Sequence, residues 1–129
     1  MPAASAIKVM VVDDQASMRA MIRRTLQDLG FQDVRDKPGG EAALADIRAN
    51  RVHLVLSDYN MPGMDGLALL REVRADPVIG KTVFIMLTDT ADADVVKQAA
   101  DAGVNNYIVK PFAPAALKEK IERVFGALT

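Results

Sequence analysis

Val52-His53-Leu54-Val55-Leu56-Ser57-Asp58-Tyr59-Asn60-Met61-Pro62-Gly63-Met64-Asp65-Gly66 decides how this chain folds. A short branched apolar run ends on an acid, and Pro62-Gly63 then forces a loop over residues 58–64. Asp65 follows as the natural cap of a helix over residues 66–74, with Leu69, Leu70 and Val73 on one face. The unit therefore reads as strand, turn and helix, with Asp58 where the strand gives way. The same pattern recurs on both sides. Ile7-Lys8-Val9-Met10-Val11-Val12 runs into Asp13-Asp14, and residues 104–109 run into Lys110-Pro111.

Between these runs the period changes to that of a helix. Met18, Met21, Ile22, Leu26 and Leu29 form one stripe that Gly30 stops. Residues 31–36 make a weak second strand, interrupted by charge, and residues 41–50 a short helix burying Ala43, Leu44 and Ile47. Asp76-Pro77 ends the third helix. Residues 82–87 form the most continuously apolar strand, residues 92–102 a helix stopped by Gly103, and residues 106–109 the fifth strand. The last helix opens with Pro114 and is expected to bury Leu117, Ile121, Val124 and Leu128. Five such βα units with short connections argue for a doubly wound α/β fold: a five-stranded parallel sheet with helices on both faces. Ligands of such sheets bind beyond the carboxyl ends of the strands.

The bulk numbers exclude several functions. At 129 residues, 50% hydrophobic and 26% charged, the chain fits one ordinary globular domain, expected to span residues 1–129 with no output domain attached. A formal net charge of −1 offers no long-range attraction to nucleic acid or anionic lipid. No apolar run approaches the ~20 residues of a membrane span, and the N-terminus lacks the features of a secretion signal. The absence of cysteine rules out disulfides and thiolate sites, and a single histidine, His53, rules out a histidine-rich metal centre. A cytoplasmic location is expected.

If the strands are parallel neighbours, Asp13, Asp14, Asp58 and Lys110 converge on one edge. Three carboxylates a few ångströms apart repel, and Mg²⁺, an ion of oxygen ligands, removes the conflict. A carboxylate is also a competent nucleophile toward a phosphoryl group, whose charge the metal and Lys110 would offset.

Asp13-Asp14, Asp58 with Met61-Pro62-Gly63-Met64-Asp65-Gly66, Leu87-Thr88 and Tyr107-Ile108-Val109-Lys110-Pro111-Phe112 occur together in one order and spacing. On these motifs the chain resembles, over essentially its whole length, the receiver domains of two-component response regulators. The single-domain CheY-like chemotaxis type is the nearest in character. The resemblance implies a flavodoxin-like (βα)5 fold of strand order 2-1-3-4-5, for which CheY is itself a standard example. It implies Asp58 as phosphoacceptor, and Asp13, Asp14, Asp58 and the Asn60 carbonyl as Mg²⁺ ligands. It implies that Thr88 and Lys110 hold the phosphoryl oxygens, that Lys110-Pro111 is cis, and that Thr88 and Tyr107 form the switch. A histidine kinase would be the phosphodonor. A flagellar motor switch component or another signalling protein would be the target of a monomeric regulator with no enzymatic activity beyond its own phosphorylation and dephosphorylation. The face carrying Lys97, Val104, Lys118, Glu119 and Glu122 is the expected output surface. The alternative within the class is a phosphate sink or relay. An aspartate-nucleophile phosphatase is disfavoured because Asn60 stands where that chemistry needs a second aspartate, and a flavin carrier because Asp13-Asp14-Gln15 would repel its phosphate.

Remaining residues have plainer readings. Arg19, Arg23 and Arg24 read as a solvated helix face, the seven methionines as core filling, and His53 as a strand-start residue. Asp36-Lys37-Pro38-Gly39-Gly40 departs from the family pattern, so the second strand is expected to end early. Asp89 adds a carboxylate that points to solvent or opposes a phosphoryl group. The resemblance implies that Thr90, with Asn60, bears on how long a phosphoryl mark lasts.

Overall fold

The computed structural model describes residues 3–89 and 92–129; the expectation for Thr90 lies outside them. A 3₁₀ turn, Ala4–Ala6, leads into β1 (Lys8–Val12), α1 (Ala16–Asp28), β2 (Asp33–Lys37), α2 (Gly40–Ala49) and β3 (Leu54–Asp58). Then come α3 (Gly66–Ala75), β4 (Val83–Thr88), α4 (Ala93–Asp101), β5 (Asn106–Val109) and α5 (Pro114–Phe125). The strands form one sheet of order β2-β1-β3-β4-β5, every pair parallel. The expected doubly wound fold is the observed one.

Side chains alternate across each strand, so the sheet divides two cores. Val9, Val11, Leu54, Leu56, Ile85, Leu87 and Ile108 pack with Ile22 and Leu26 of α1 and Leu117 and Ile121 of α5. Met10, Val12, Val55, Phe84 and Met86 pack on the other face with Ala43, Leu44 and Ile47 of α2 and Leu69, Leu70 and Val73 of α3. Helix boundaries follow their sequence signals. Asp65 Oδ1 accepts from the Ala68 amide at 2.8 Å, Pro114 opens α5, and Gly30 and Gly103 follow α1 and α4 at φ 104° and 95°.

Several boundaries differ from expectation, most by a residue or two; the second strand also starts later, at Asp33. The third strand begins at Leu54 rather than Val52 and includes Asp58, because Asp58 pairs with Leu87 in the ladder. The fourth likewise starts at Val83 and reaches Thr88, which pairs with Val109. The second strand does not end early; it runs to Lys37, opposite Val12, because the charge on Asp36 is held by two arginines rather than by water. Leu128 lies beyond α5, which stops before Gly126; its amide donates to Glu122 Oε2 at 2.8 Å, and its side chain still packs on the first core.

Candidate functional site

The parallel register brings the ends of β1, β3, β4 and β5 to one edge. Asp13 and Asp14 follow β1, Asp58 and Thr88 end β3 and β4, and Lys110 follows β5. A carboxylate oxygen from each of Asp13, Asp14 and Asp58 lies within 4.8 Å of the others. Asp13 is 1% exposed and Asp58 5%, whereas Asp14 faces solvent. The Lys110 ammonium reaches in from β5, 3.1 Å from Asp58 Oδ1 and 3.7 Å from Asp13 Oδ2.

Backbone geometry fixes Asp58. Its neighbour Tyr59 donates an amide hydrogen to the Leu87 carbonyl at 2.8 Å, and the Gly66 amide donates to the Tyr59 carbonyl at 2.9 Å. Gly66 must be glycine: a Cβ there would overlap the Asp58 carbonyl oxygen and come within 2.7 Å of Met86 Sδ. The start of α3 is thereby pressed against the end of β3. Lys110 is held by its own amide, which donates to the Thr88 carbonyl at 2.7 Å, and the Lys110-Pro111 peptide is cis as expected.

Electrostatics leave the cluster poised. Burial pushes the Asp58 carboxyl above the ordinary carboxylate range; Lys110 opposes this by hydrogen bond and charge, Asp13 adds repulsion, and the Asn60 amide donates to the carboxylate. Burial alone would lower the Lys110 ammonium, but Asp58, Asp13 and Asp89 outweigh it and raise it. Asp13 Oδ1 accepts from the Gln15 amide at 2.9 Å. Asp13 Oδ2 is buried and accepts no hydrogen bond from the described residues. A buried anionic oxygen without a donor costs free energy. Three carboxylates also face one ammonium. Both features fit an oxygen-ligated divalent cation: the donor set is hard, anionic and already gathered.

The other sequence candidates take distinct places. Thr88 is 1% exposed at the end of β4, inside the site. Asn60 is exposed at the rim. Tyr107 is outside the cluster, half-buried against the second core, with the Lys120 ammonium 5.7 Å from its ring centroid. Asp89 is exposed, as one of its two anticipated readings has it, and its carboxylate lies 3.8 Å from the Lys110 ammonium. On the expected output surface, Glu119 pairs with Arg123 at 2.7 Å and Glu122 caps the Leu128 amide.

Further expectations fail. Met21, read with the other methionines as core filling, is 47% exposed. Arg19 and Arg23 are not a solvated face: Arg19 Nε donates to Asp36 Oδ2 at 2.9 Å, Arg19 NH1 to the Asp13 carbonyl at 2.7 Å, and Arg23 NH1 to Asp36 Oδ1 at 3.1 Å. Only Arg24, with its side chain 81% exposed, fits the original reading. The spacing carried the signal. Positions 19 and 23 share a helical face, and 24 is turned away from it.

Comparison with known proteins assigns the class. The response regulator receiver domain matches residues 9–122, and the chain belongs to that family. It is 43% identical to the chemotaxis protein CheY of Pseudomonas aeruginosa, over 92% of this chain and 96% of that one. It is 40% identical to chemotaxis protein CheY-3 of Vibrio cholerae, over 95% and 94%. Its fold matches the solved structure of Vibrio cholerae CheY4 with a TM-score of 0.86 at 35% identity, covering 92% of this chain and 98% of the other. This is a signalling module of the CheY-like chemotaxis kind, whose class works through phosphorylation rather than through substrate turnover. Among the described residues no helix is long and apolar enough to cross a membrane.

Proposed function

We propose that the chain accepts a phosphoryl group on Asp58 from a histidine kinase and uses it to change its affinity for a protein target. The observation that carries this is the meeting of Asp13, Asp14 and Asp58 within 4.8 Å, with the Lys110 ammonium 3.1 Å from Asp58 Oδ1. The reaction is a displacement: an Asp58 oxygen forms the O–P bond, the P–N bond to the donor histidine breaks, and that nitrogen regains its electron pair. Lys110 holds a phosphoryl oxygen, and the Thr88 hydroxyl donates to another. Mg²⁺, held by Asp13, Asp14, Asp58 and the Asn60 carbonyl, would supply charge neutralisation for the incoming group. A largely apolar hollow of about 300 Å³, lined by Met18, Met21, Asp89, Lys110, Pro111 and Phe112, opens beside the ammonium and suits the approach of a donor domain.

The energy available matches a small switch. A phosphoryl group adds about −1.5 to −2 charges, and two charge-assisted hydrogen bonds contribute roughly 3–6 kcal/mol. Reversing a 1:99 equilibrium takes about 5.5 kcal/mol. The element so driven is Thr88 with Tyr107, which border α4, β5 and α5. The likeness to chemotaxis CheY proteins favours output by binding a separate protein, such as a flagellar motor component or another signalling protein.

Incubation with acetyl phosphate and Mg²⁺ should add one phosphoryl group to the wild type by intact mass, and none to Asp58→Asn. Equal labelling of both would overturn the reading. Beryllofluoride with Mg²⁺ should shift the Thr88 and Tyr107 amide resonances of the wild type alone.

A further inference from the structure

The acid cluster is held from behind by a three-way contact. Asp13 is fixed at both of its backbone polar groups: its amide donates to the Lys37 carbonyl at 3.2 Å, and its carbonyl accepts from Arg19 NH1 at 2.7 Å. Arg19 is in turn fixed by Asp36, whose two oxygens take Arg19 Nε and Arg23 NH1 at 2.9 and 3.1 Å. The Arg19 side chain is 17% exposed, against 41% for Arg23 and 81% for Arg24. The end of β2 and the first turns of α1 thus grip the residue whose buried Oδ2 accepts no hydrogen bond from the described residues.

We infer that Arg19, locked by Asp36, is a positioning residue that sets the Asp13 carboxylate for cation binding; this rests on the cation site proposed above. The guanidinium suits the task because the Nε and NH1 hydrogens lie in one rigid plane, in different directions, and serve two acceptors at once. An ammonium on a flexible stem keeps the charge without that fork. Residues that orient metal ligands commonly matter by about 10- to 100-fold in metal affinity.

The sign of the effect separates positioning from electrostatics. A positive charge touching the Asp13 carbonyl repels a cation, so its removal by field alone would tighten binding. Loss of positioning weakens it. Mg²⁺ titration followed by backbone amide resonances suits a chain without tryptophan. Arg19→Ala should bind Mg²⁺ about 10-fold more weakly, Arg19→Lys should be weakened too, and Arg24→Ala should match the wild type. In metal-free protein, the Gln15 amide, which donates to Asp13 Oδ1, should exchange faster in Arg19→Ala, while the core Ile108 amide is unchanged. If Arg19→Ala does not fold, Arg19→Lys carries both measurements. Unchanged or tighter binding by Arg19→Ala, or full affinity in Arg19→Lys, would overturn the inference alone. A wild type that takes up no Mg²⁺ would overturn it together with the proposed site.

Discussion

The two edges of the sheet handle charge in opposite ways. At the edge where the strands begin, the most heavily bonded charge is matched by backbone acceptors. Arg74, half-buried at the end of α3, donates to the carbonyls of Gly80, Thr82 and Gly103 at 3.0, 2.6 and 3.0 Å and to Asn105 Oδ1 at 2.9 Å. Asn105 Oδ1 also accepts from the Phe84 amide at 2.8 Å, so one guanidinium ties α3 to the entries of β4 and β5. Burial holds its pKa below the usual arginine value without a carboxylate to restore it. At the edge where the strands end, Asp13, Asp14 and Asp58 crowd together, one ammonium serves Asp13 and Asp58, and the buried Asp13 Oδ2 accepts no hydrogen bond from the described residues. The first edge is arranged for stability, and the second keeps unsatisfied charge in place for a partner that brings charge of the other sign.

That contrast predicts opposite responses to mutation. The largest effect is expected at Arg74. Arg74→Ala removes a donor from three backbone carbonyls and one of the two donors from Asn105 Oδ1. Hydrogen bonds to charged groups contribute about 1.5–3 kcal/mol each, but non-additively, so a loss of about 3 kcal/mol is expected. Thermal unfolding should fall by roughly 10 °C. A drop of only a degree or two would show that this edge is no better tied than the other.

The opposite sign is expected at Asp13. Asn is nearly isosteric, keeps an oxygen for the Gln15 amide, and removes a charge that faces Asp58 and Asp14. In chelator, Asp13→Asn should therefore be more stable than wild type, by about 1 kcal/mol in denaturant unfolding. With saturating Mg²⁺ the order should reverse, because the wild type alone gains the full binding energy. A variant less stable than wild type in both conditions would break the comparison.

The sequence disclosed these edges unequally, and for physical reasons. Alternation of apolar runs with helical stripes revealed the sheet, and Asp13, Asp14, Asp58 and Lys110 were recognisable because each ends such a run. Boundaries were less legible. Whether Asp58 belongs to strand or loop depends on how far β4 extends beside it, a fact about two segments and not one. Arg19 was misread for the same reason. A helix periodicity says which residues share a face, but only the parallel pairing of β1 and β2 brings Asp36 under that face. The Arg74 hub was not foreseen at all, since its acceptors are backbone carbonyls, which carry no sequence signature.

Asp76 gives the smallest test, and its sign must be worked out. Its carboxylate accepts from the Val78 amide at 2.8 Å and the Ile79 amide at 3.3 Å, and pairs with Arg48 Nε at 3.1 Å. The Val78 bond chiefly holds its pKa below the ordinary carboxylate value, burial works against this, and Arg48 assists. A carboxyl whose pKa is lower in the folded state than in the unfolded chain stabilises the fold above its unfolded value. That contribution is lost as pH falls through the folded one. Asp76→Asn should therefore destabilise the protein at pH 7, and the gap from wild type should narrow as pH drops below about 4. Guanidinium unfolding at pH 7, 5 and 3.5 reads this directly. Because the loop capped by Asp76 lies at the edge away from Asp13 and Asp58, the same substitution should leave Mg²⁺ binding unchanged. A loss of metal affinity in Asp76→Asn would mean that the two edges are coupled through the sheet.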